Sequence, residues 1–275
     1  AAPLPGNKVL VCGGKITWSS SNISDKTLVY DASSDTWTER QPMPVGKTGA
    51  SADAIEPGKV LVVGGLSIGT QYGSNTVELY DYGANMWVSK APRPADYEYT
   101  NSQESTTLGS APGVTLTVAG GYSSGYWRYS RDVHRYDLAS NTWTERADTP
   151  IDLSGHTAVS HAEWKVLVAG GGPTNLSSRY LYLFDDTSNA WTRLADMLTP
   201  RRGRPSSRIL SNGKMIVAGG INDDNPSLSS VEFYDITANV WEEGGDMPEP
   251  RARAASAPLD GDRMLIAGGS SSGLT

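Results

Sequence analysis

Residues 214–241 read KMIVAGGINDDNPSLSSVEFYDITANVW. They contain a glycine pair, an aromatic–aspartate pair and a tryptophan, three landmarks that recur along the chain. The segment begins with an apolar run of strand length, and the glycine pair Gly219-Gly220 follows at once. A variable polar stretch then leads to Tyr234-Asp235, and Trp241 lies 7 residues after the tyrosine. Short apolar runs separated by turn residues predict antiparallel β-structure rather than helix.

The same landmarks recur with a period near 50 residues. The glycine pairs begin at Gly13, Gly64, Gly120, Gly170, Gly219 and Gly268, the aromatic–aspartate pairs begin at Tyr30, Tyr80, Tyr136, Phe184 and Tyr234, and the tryptophans are Trp37, Trp87, Trp143, Trp191 and Trp241. The interval from aromatic residue to tryptophan is 7 in all five copies, whereas the other intervals vary. Such a period indicates a repeat architecture, and four short strands per unit make a propeller blade.

The polar residues explain where each unit turns. In every copy, the aspartate after the aromatic residue is followed four positions later by a second short polar side chain: Asp35, Asn85, Asn141, Asn189 and Asn239. Asp and Asn side chains bond to nearby backbone groups and tolerate left-handed dihedral angles. The constant interval therefore predicts a hairpin of fixed length. The glycine pairs predict positive φ where two backbones approach closely.

Composition excludes several classes of protein. The chain has 275 residues, a net charge of -7, 30 glycines and 16 prolines, with only 19% charged residues. This profile excludes a helical bundle, and the acidic balance predicts no nucleic-acid partner. No apolar run is long enough for a membrane-spanning helix, so we expect no membrane insertion. Cys12 is the single cysteine, which excludes an intrachain disulfide and a cysteine zinc cluster.

The order of apolar strand, Gly-Gly, variable loop, Tyr-Asp, Trp and a Met-Pro or Thr-Pro segment resembles the kelch repeat of β-propellers over nearly the whole chain. The resemblance implies an all-β propeller of four-stranded antiparallel blades in a single domain, residues 1–275. The repeat units fall at about 1–43, 44–93, 94–149, 150–198 and 199–247, with a partial unit at 248–275.

The strand count leaves the number of blades open. Counting from Lys8–Cys12, as second strand of the first blade, to Met264–Ala267 gives 21 strands, which completes neither five nor six blades. We expect a six-blade framework that is incomplete in this sequence. The alternative is five blades, with residues 254–259 completing the first. An open edge in either ring predicts self-association or pairing with a second chain.

Candidate ligand residues lie in the irregular loops. In kelch propellers, the loops after Gly-Gly and those after the Trp/Pro segment share one face, which the resemblance implies here. The most unusual loop concentrates aromatic residues and arginines: Tyr122, Tyr126, Trp127, Arg128, Tyr129 and Arg131. The preceding segment of the same unit adds Tyr97, Glu98 and Tyr99. Aromatic faces beside carboxylates suit a glycan or a protein hot spot. The alternative is that single aromatics pack over the blade edge.

A second candidate group is basic. It comprises Arg201, Arg202 and Arg204, followed one unit later by Arg251 and Arg253. Arginines at a propeller mouth can bind a carboxylate or sulfate bidentately. The structural alternative is that they bond to loop carbonyls.

Catalytic and metal sites find little support in the sequence. His134, His156 and His161 have no spacing that brings two of them together as ligands, so we predict no metal site and no cofactor. Some kelch propellers resemble galactose oxidase, but its copper ligand set cannot be assembled from these residues. A carbohydrate-active enzyme, whether a hydrolase using Asp96, Glu98 or Glu104 or a mutarotase, remains the alternative. No catalytic residue is assigned.

These patterns together predict a non-catalytic binding module that recognises a glycan or a peptide on its loop face. The aromatic loop chemistry is the main reason for this interpretation. Few lysines and an Ala-Ala start favour an extracellular or cell-surface location.

Overall fold

The computed structural model describes residues 1–15, 23–67, 73–94, 104–108, 113–118, 122–123, 128–173 and 176–271, and in these ranges every regular element is a β-strand. In chain order the strands are β1 (Ala2–Leu4), β2 (Lys8–Cys12), β3 (Thr27–Asp31), β4 (Thr36–Arg40), β5 (Lys47–Thr48), β6 (Ser51–Glu56), β7 (Lys59–Val63), β8 (Leu66–Ser67), β9 (Val77–Asp81), β10 (Met86–Lys90), β11 (Glu104–Thr107), β12 (Val114–Val118), β13 (Tyr122–Ser123), β14 (Arg128–Tyr129), β15 (Val133–Asp137), β16 (Thr142–Arg146), β17 (His156–Ala162), β18 (Lys165–Gly170), β19 (Leu181–Asp185), β20 (Ala190–Arg193), β21 (Ser206–Ile209), β22 (Lys214–Ala218), β23 (Val231–Asp235), β24 (Val240–Glu243), β25 (Ala255–Pro258) and β26 (Met264–Ala267).

In the described ranges, the strands form five four-stranded antiparallel blades and three two-stranded sheets, in which β5 pairs with β8, β13 with β14, and β25 with β26. The blades are β1–β4, then β6, β7, β9 and β10, then β11, β12, β15 and β16, then β17–β20, and then β21–β24. Strands β25 and β26 pair with each other. The innermost strands contact one another in the order β1, β6, β11, β17, β21 and β25, and β25 contacts β1 again. The predicted all-β propeller is therefore confirmed, and its six inner strands close a ring.

The first blade corrects one detail of the strand count. Ala2–Leu4 pairs antiparallel with Lys8–Cys12, so the first blade has its own innermost strand. Sequence analysis began that blade at Lys8–Cys12 because three residues that include a proline carry no strand pattern. The five complete blades match the number in the five-blade alternative, but residues 254–259 do not complete the first blade: Ala255–Pro258 pairs with β26 and adds a sixth inner strand to the ring.

The hydrophobic core lies between neighbouring blades. One cluster joins Leu10 and Val29 of the first blade to Val60 and Tyr80 of the second, and similar clusters fill the next three seams. The middle strands are buried on both faces, which explains their continuous apolar runs.

The hairpins that join the two outer strands of each blade follow the predicted turn chemistry. At the fourth turn position, Asp35, Asn85, Asn141, Asn189 and Asn239 all have φ between 51° and 56°. The preceding aspartate accepts a backbone N–H within the turn, as Asp137 does from Ser140 at 2.9 Å. We call the end of the propeller that carries these five turns the hairpin face.

The hairpin face also joins the second, third, fourth and fifth blades to the blade before each. Trp191 donates from Nε1 to the Ala147 carbonyl at 2.9 Å, and the Asn189 side-chain oxygen accepts the Ala147 N–H at 2.8 Å. Trp87, Trp143 and Trp241, with their asparagines, repeat this pair of bonds. With one side chain, the asparagine thus sets the turn of its own blade and bonds to the preceding blade.

Candidate functional site

The opposite end of the propeller, which we call the loop face, consists of the connections after the glycine pairs and the segments that enter each inner strand. Backbone bonds hold these two kinds of loop together. Gly14 donates to the Lys47 carbonyl at 2.7 Å, and Gly171 donates to the Arg201 carbonyl at 2.8 Å. A Cβ on Gly170 would lie 2.5 Å from the Arg201 carbonyl oxygen, so the first glycine of the pair leaves no room for a side chain.

The aromatic candidate residues fall partly outside the described residues. Tyr97, Glu98, Tyr99, Tyr126 and Trp127 lie there, as does Asp96. The backbone of Tyr122–Ser123 pairs antiparallel with that of Arg128–Tyr129, and we call this strand pair the aromatic hairpin. The placement of Tyr122, Arg128 and Tyr129 as ligand residues remains a prediction.

Arg131 lies at the base of this hairpin and is half exposed. Its Nε lies 3.4 Å from an Asp152 carboxylate oxygen, and its guanidinium also donates to the Pro150 carbonyl. The side chain therefore joins the third blade to the segment that enters the fourth.

Arg201 is fully buried and binds within the fifth blade. Its guanidinium donates to the Gly219 carbonyl at 2.9 Å, to the Ser230 carbonyl at 2.8 Å and to Glu232 at 2.7 Å. Glu232 also accepts the N–H groups of Leu198 and Thr199. The Arg201 carbonyl accepts a hydrogen bond from the N–H of Gly171 in the fourth blade, so Arg201 connects two blades. These contacts match the structural alternative for Arg201.

Lys47 occupies the corresponding place in the second blade. Its ammonium group pairs with Glu78, and both side chains are almost completely buried. Burial lowers the pKa of Lys47, opposed by its attraction to Glu78. Sequence analysis missed these acidic partners, although Lys47–Glu78 and Arg201–Glu232 share an interval of 31 residues that marks the pairs.

The remaining arginines of the basic group differ in exposure. Two backbone hydrogen bonds, of 2.9 and 2.8 Å, join Arg202 to Ile221. Arg202 is half-buried. Arg251 pairs with Glu249 at 2.8 Å and donates to the Gly268 carbonyl at 3.0 Å. Arg253 is exposed, and Arg204 extends into the centre of the ring, where it donates to the Ala50 carbonyl at 3.0 Å.

A central cavity of about 440 Å³ runs between the inner strands. All six inner strands or their flanking residues contribute to its wall, mostly with alanine, serine and threonine. Asp53, Arg204 and Arg208 are the charged residues among those that line it. Asp53 lies near the Thr115 hydroxyl of the third blade at 3.4 Å. Polar walls of this kind favour a hydrogen-bonding occupant over an apolar one.

The loop face also exposes aliphatic side chains. Leu176 is 60% exposed in the loop after the fourth glycine pair, and Leu198 is 40% exposed in the segment entering the fifth blade. Val45 has a comparable position before the second blade and is 45% exposed. Exposed aliphatic side chains on loops are suited to contact with another protein.

The histidines and the single cysteine are the other candidates for metal binding or catalysis. His156 and His134 are buried in different blades, and His161 is half-buried, with its pKa lowered mainly by desolvation. No group of three or more potential metal ligands occurs among the described residues. Burial raises the pKa of the Cys12 thiol. In the part of the chain that the structure describes, no helix is long and apolar enough to span a membrane.

Comparisons with known proteins agree with this geometry. The model of the attractin/LZTR1 beta-propeller family matches residues 9–275. The chain is 28% identical over 221 residues to Kelch-like protein 25 of Xenopus tropicalis, which covers 78% of this chain and 35% of that protein. It is 26% identical over 278 residues to Kelch-like protein terF of Aspergillus terreus, strain NIH 2624 / FGSC A1156, with coverage of 80% and 60%.

A structural comparison supports the fold. The solved structure of YjhT aligns with a TM-score of 0.78 at 18% sequence identity, covering 98% of this chain and 93% of that one. The chain spans about a third of the length of the human and Xenopus tropicalis Kelch-like 25 proteins that it matches.

Proposed function

Because the chain belongs to the attractin/LZTR1 β-propeller family, we propose that it is a non-catalytic module that binds a polypeptide on its loop face. The kelch resemblance is confirmed by the family match and by the Kelch-like relatives. Their names describe a repeat and not a ligand, so the partner must be inferred from the surface chemistry of this chain.

The observation that carries the proposal is the combination of backbone bonds between the described loop segments with exposed aliphatic side chains. Successive loops are joined by backbone bonds, such as Gly220 N–H to the Arg251 carbonyl at 2.8 Å. Ordered loops lose little conformational entropy on binding, and exposed leucines supply apolar contact area. Leu176 and Leu198 both lie on this face, in loops on either side of the seam between the fourth and fifth blades.

The aromatic hairpin extends the same proposed surface. Tyr122 and Tyr129 are paired at its base, and Tyr126 and Trp127 belong to the intervening sequence. Tyrosine and tryptophan are the residues most enriched in protein hot spots. A glycan partner would use the same aromatics but would gain little from the exposed leucines, so we favour a polypeptide.

Selection from a displayed random-peptide library tests this proposal. We expect enriched peptides to bind the propeller and to lose about tenfold or more in affinity on Leu176→Asp or Leu198→Asp. Val240→Asp is the matched control, because Val240 is 54% exposed and adjoins the fifth-blade turn of the hairpin face. Trp127→Ala and Tyr126→Ala test the aromatic hairpin.

Two results would refute the proposal. One is a selection that yields no specific peptide while a glycan array gives binders sensitive to Trp127→Ala. The other is peptide binding that survives both leucine variants and disappears in Val240→Asp.

A further inference from the structure

Arg204 spans the central channel from one side of the ring to the other. It lies two residues before the inner strand of the fifth blade, whereas Ala50 immediately precedes that of the second. These strands, β21 and β6, are three positions apart in either direction around the six inner strands. The 3.0 Å bond from Arg204 Nη2 to the Ala50 carbonyl therefore joins opposite walls at the loop-face end of the channel.

The backbone of Arg204 is left-handed, with φ of 58°, directly after Gly203 at 73°. Counted back from the inner-strand residue that pairs with the residue before each glycine pair, the matching positions are Gly49, Gly155 and Arg253, and all three have positive φ. Left-handed arginine carries strain, and the surrounding structure must maintain it. The Arg204 N–H bond to the Gly155 carbonyl, at 2.8 Å, is one contact that does so.

A cavity lies behind this crossing side chain. Hydroxyl groups line its wall, including the Thr157–Ser207 pair with oxygens 2.7 Å apart. Its volume of about 440 Å³ fits a small molecule rather than a folded segment. Asp53 on the second blade and Arg208 farther along β21 also line the cavity. Arg208 binds the Leu259, Gly261 and Arg263 carbonyls.

We propose that Arg204 is a gate and that the central cavity binds a small carboxylic acid, whose carboxylate replaces the Ala50 carbonyl as an acceptor of the Arg204 guanidinium. A carboxylate accepts two parallel guanidinium bonds and binds more strongly than a neutral carbonyl. Binding of the acid would break the bond between Arg204 and the Ala50 carbonyl. It would place the rest of the acid among the hydroxyl groups of the cavity wall. This site is separate from the exposed leucines of the polypeptide surface.

Titration calorimetry with succinate, and with succinamide as its uncharged counterpart, tests the gate. We expect succinate to bind saturably and succinamide not to bind. Arg204→Gln should weaken succinate binding by about tenfold or more, since a charged hydrogen bond is lost. Arg204→Gly is the second variant, because glycine adopts φ of 58° without strain, and we expect this change to leave the fold intact. It should lose succinate binding as well.

Arg179→Gln is the matched control, since Arg179 is an exposed arginine between the fourth glycine pair and β19 and does not line the cavity. This variant should bind succinate like the parent chain. Failure of succinate to bind, equal binding of succinamide, or unchanged binding in folded Arg204→Gly would each overturn the gate. Peptide binding is read separately through Leu176→Asp, so the two proposals can fail independently.

Discussion

The two faces of this propeller use the same backbone frame in different ways. On the hairpin face, five turns have one length and one left-handed residue, and four tryptophans donate to the preceding blade. On the loop face, the segment before the inner strand carries a buried cation in two blades, Lys47 in the second and Arg201 in the fifth. In the fourth blade, Leu153 occupies the same position. Ring assembly therefore depends on uniform local contacts, whereas the loop face can vary in sequence.

The ion pairs of the loop face provide the largest expected effect. Arg201→Leu leaves Glu232 buried without its cation, and we expect it to lower the free energy of unfolding by about 3–5 kcal/mol. The fourth blade has Leu153 and Tyr182 at the two corresponding positions. Arg201→Leu combined with Glu232→Tyr should therefore be more stable than Arg201→Leu alone. Chemical denaturation measures both, and a double variant less stable than the single one would contradict this explanation.

The asparagine of the hairpin face provides the next effect. Asn141 accepts from the Ala91 N–H at 2.9 Å and from the Tyr136 hydroxyl at 2.8 Å, with φ of 54°. Asn141→Ala should lower the free energy of unfolding by about 2 kcal/mol, through lost bonds and backbone strain. Asn141→Gly removes only the bonds and should cost less. Equal costs in thermal unfolding would show that the left-handed dihedral contributes nothing.

A substitution in the fourth blade should raise the free energy of unfolding by a smaller amount. The hairpin of this blade has Phe184 where the neighbouring fifth blade has Tyr234, whose hydroxyl donates to Asn239 at 2.7 Å. Phe184→Tyr should place a hydroxyl near Asn189 and raise the free energy of unfolding by about 1 kcal/mol. Tyr234→Phe should lower it by a similar amount. A destabilised Phe184→Tyr variant would show that this seam is packed differently from the others.

Acidification should reveal the smallest effect. Backbone donation from Ser140 lowers the pKa of Asp137 below its ordinary value of 3.8, with further lowering from the Ser140 hydroxyl. The unfolded chain therefore binds more protons in acid, and the stabilisation present above about pH 4 is lost as the pH falls through the folded pKa. Asp137→Asn removes this titration. The difference in stability between parent and variant should shrink below about pH 4 in thermal melts, and a constant difference would contradict it.

Sequence patterns predicted the hairpin face because its determinants are local. The turn aspartate and asparagine are four residues apart, and the interval to tryptophan is constant. The first strand, Ala2–Leu4, could not be predicted because its three residues have no apolar alternation. The Arg204–Ala50 contact joins residues 154 positions apart, and no spacing rule connects them. Repeated local chemistry is visible in a sequence, while contacts across a closed ring depend on its geometry.

The bond between Arg204 and Ala50 has a mechanical consequence for the whole ring. Contacts between adjacent blades preserve the perimeter, but a hexagonal frame of fixed sides can still flatten into an oval. The bond from the fifth blade to the second lies along one diameter and resists elongation in that direction. The propeller should consequently be stiffer along this diameter than across it, a directional elasticity that no individual blade possesses.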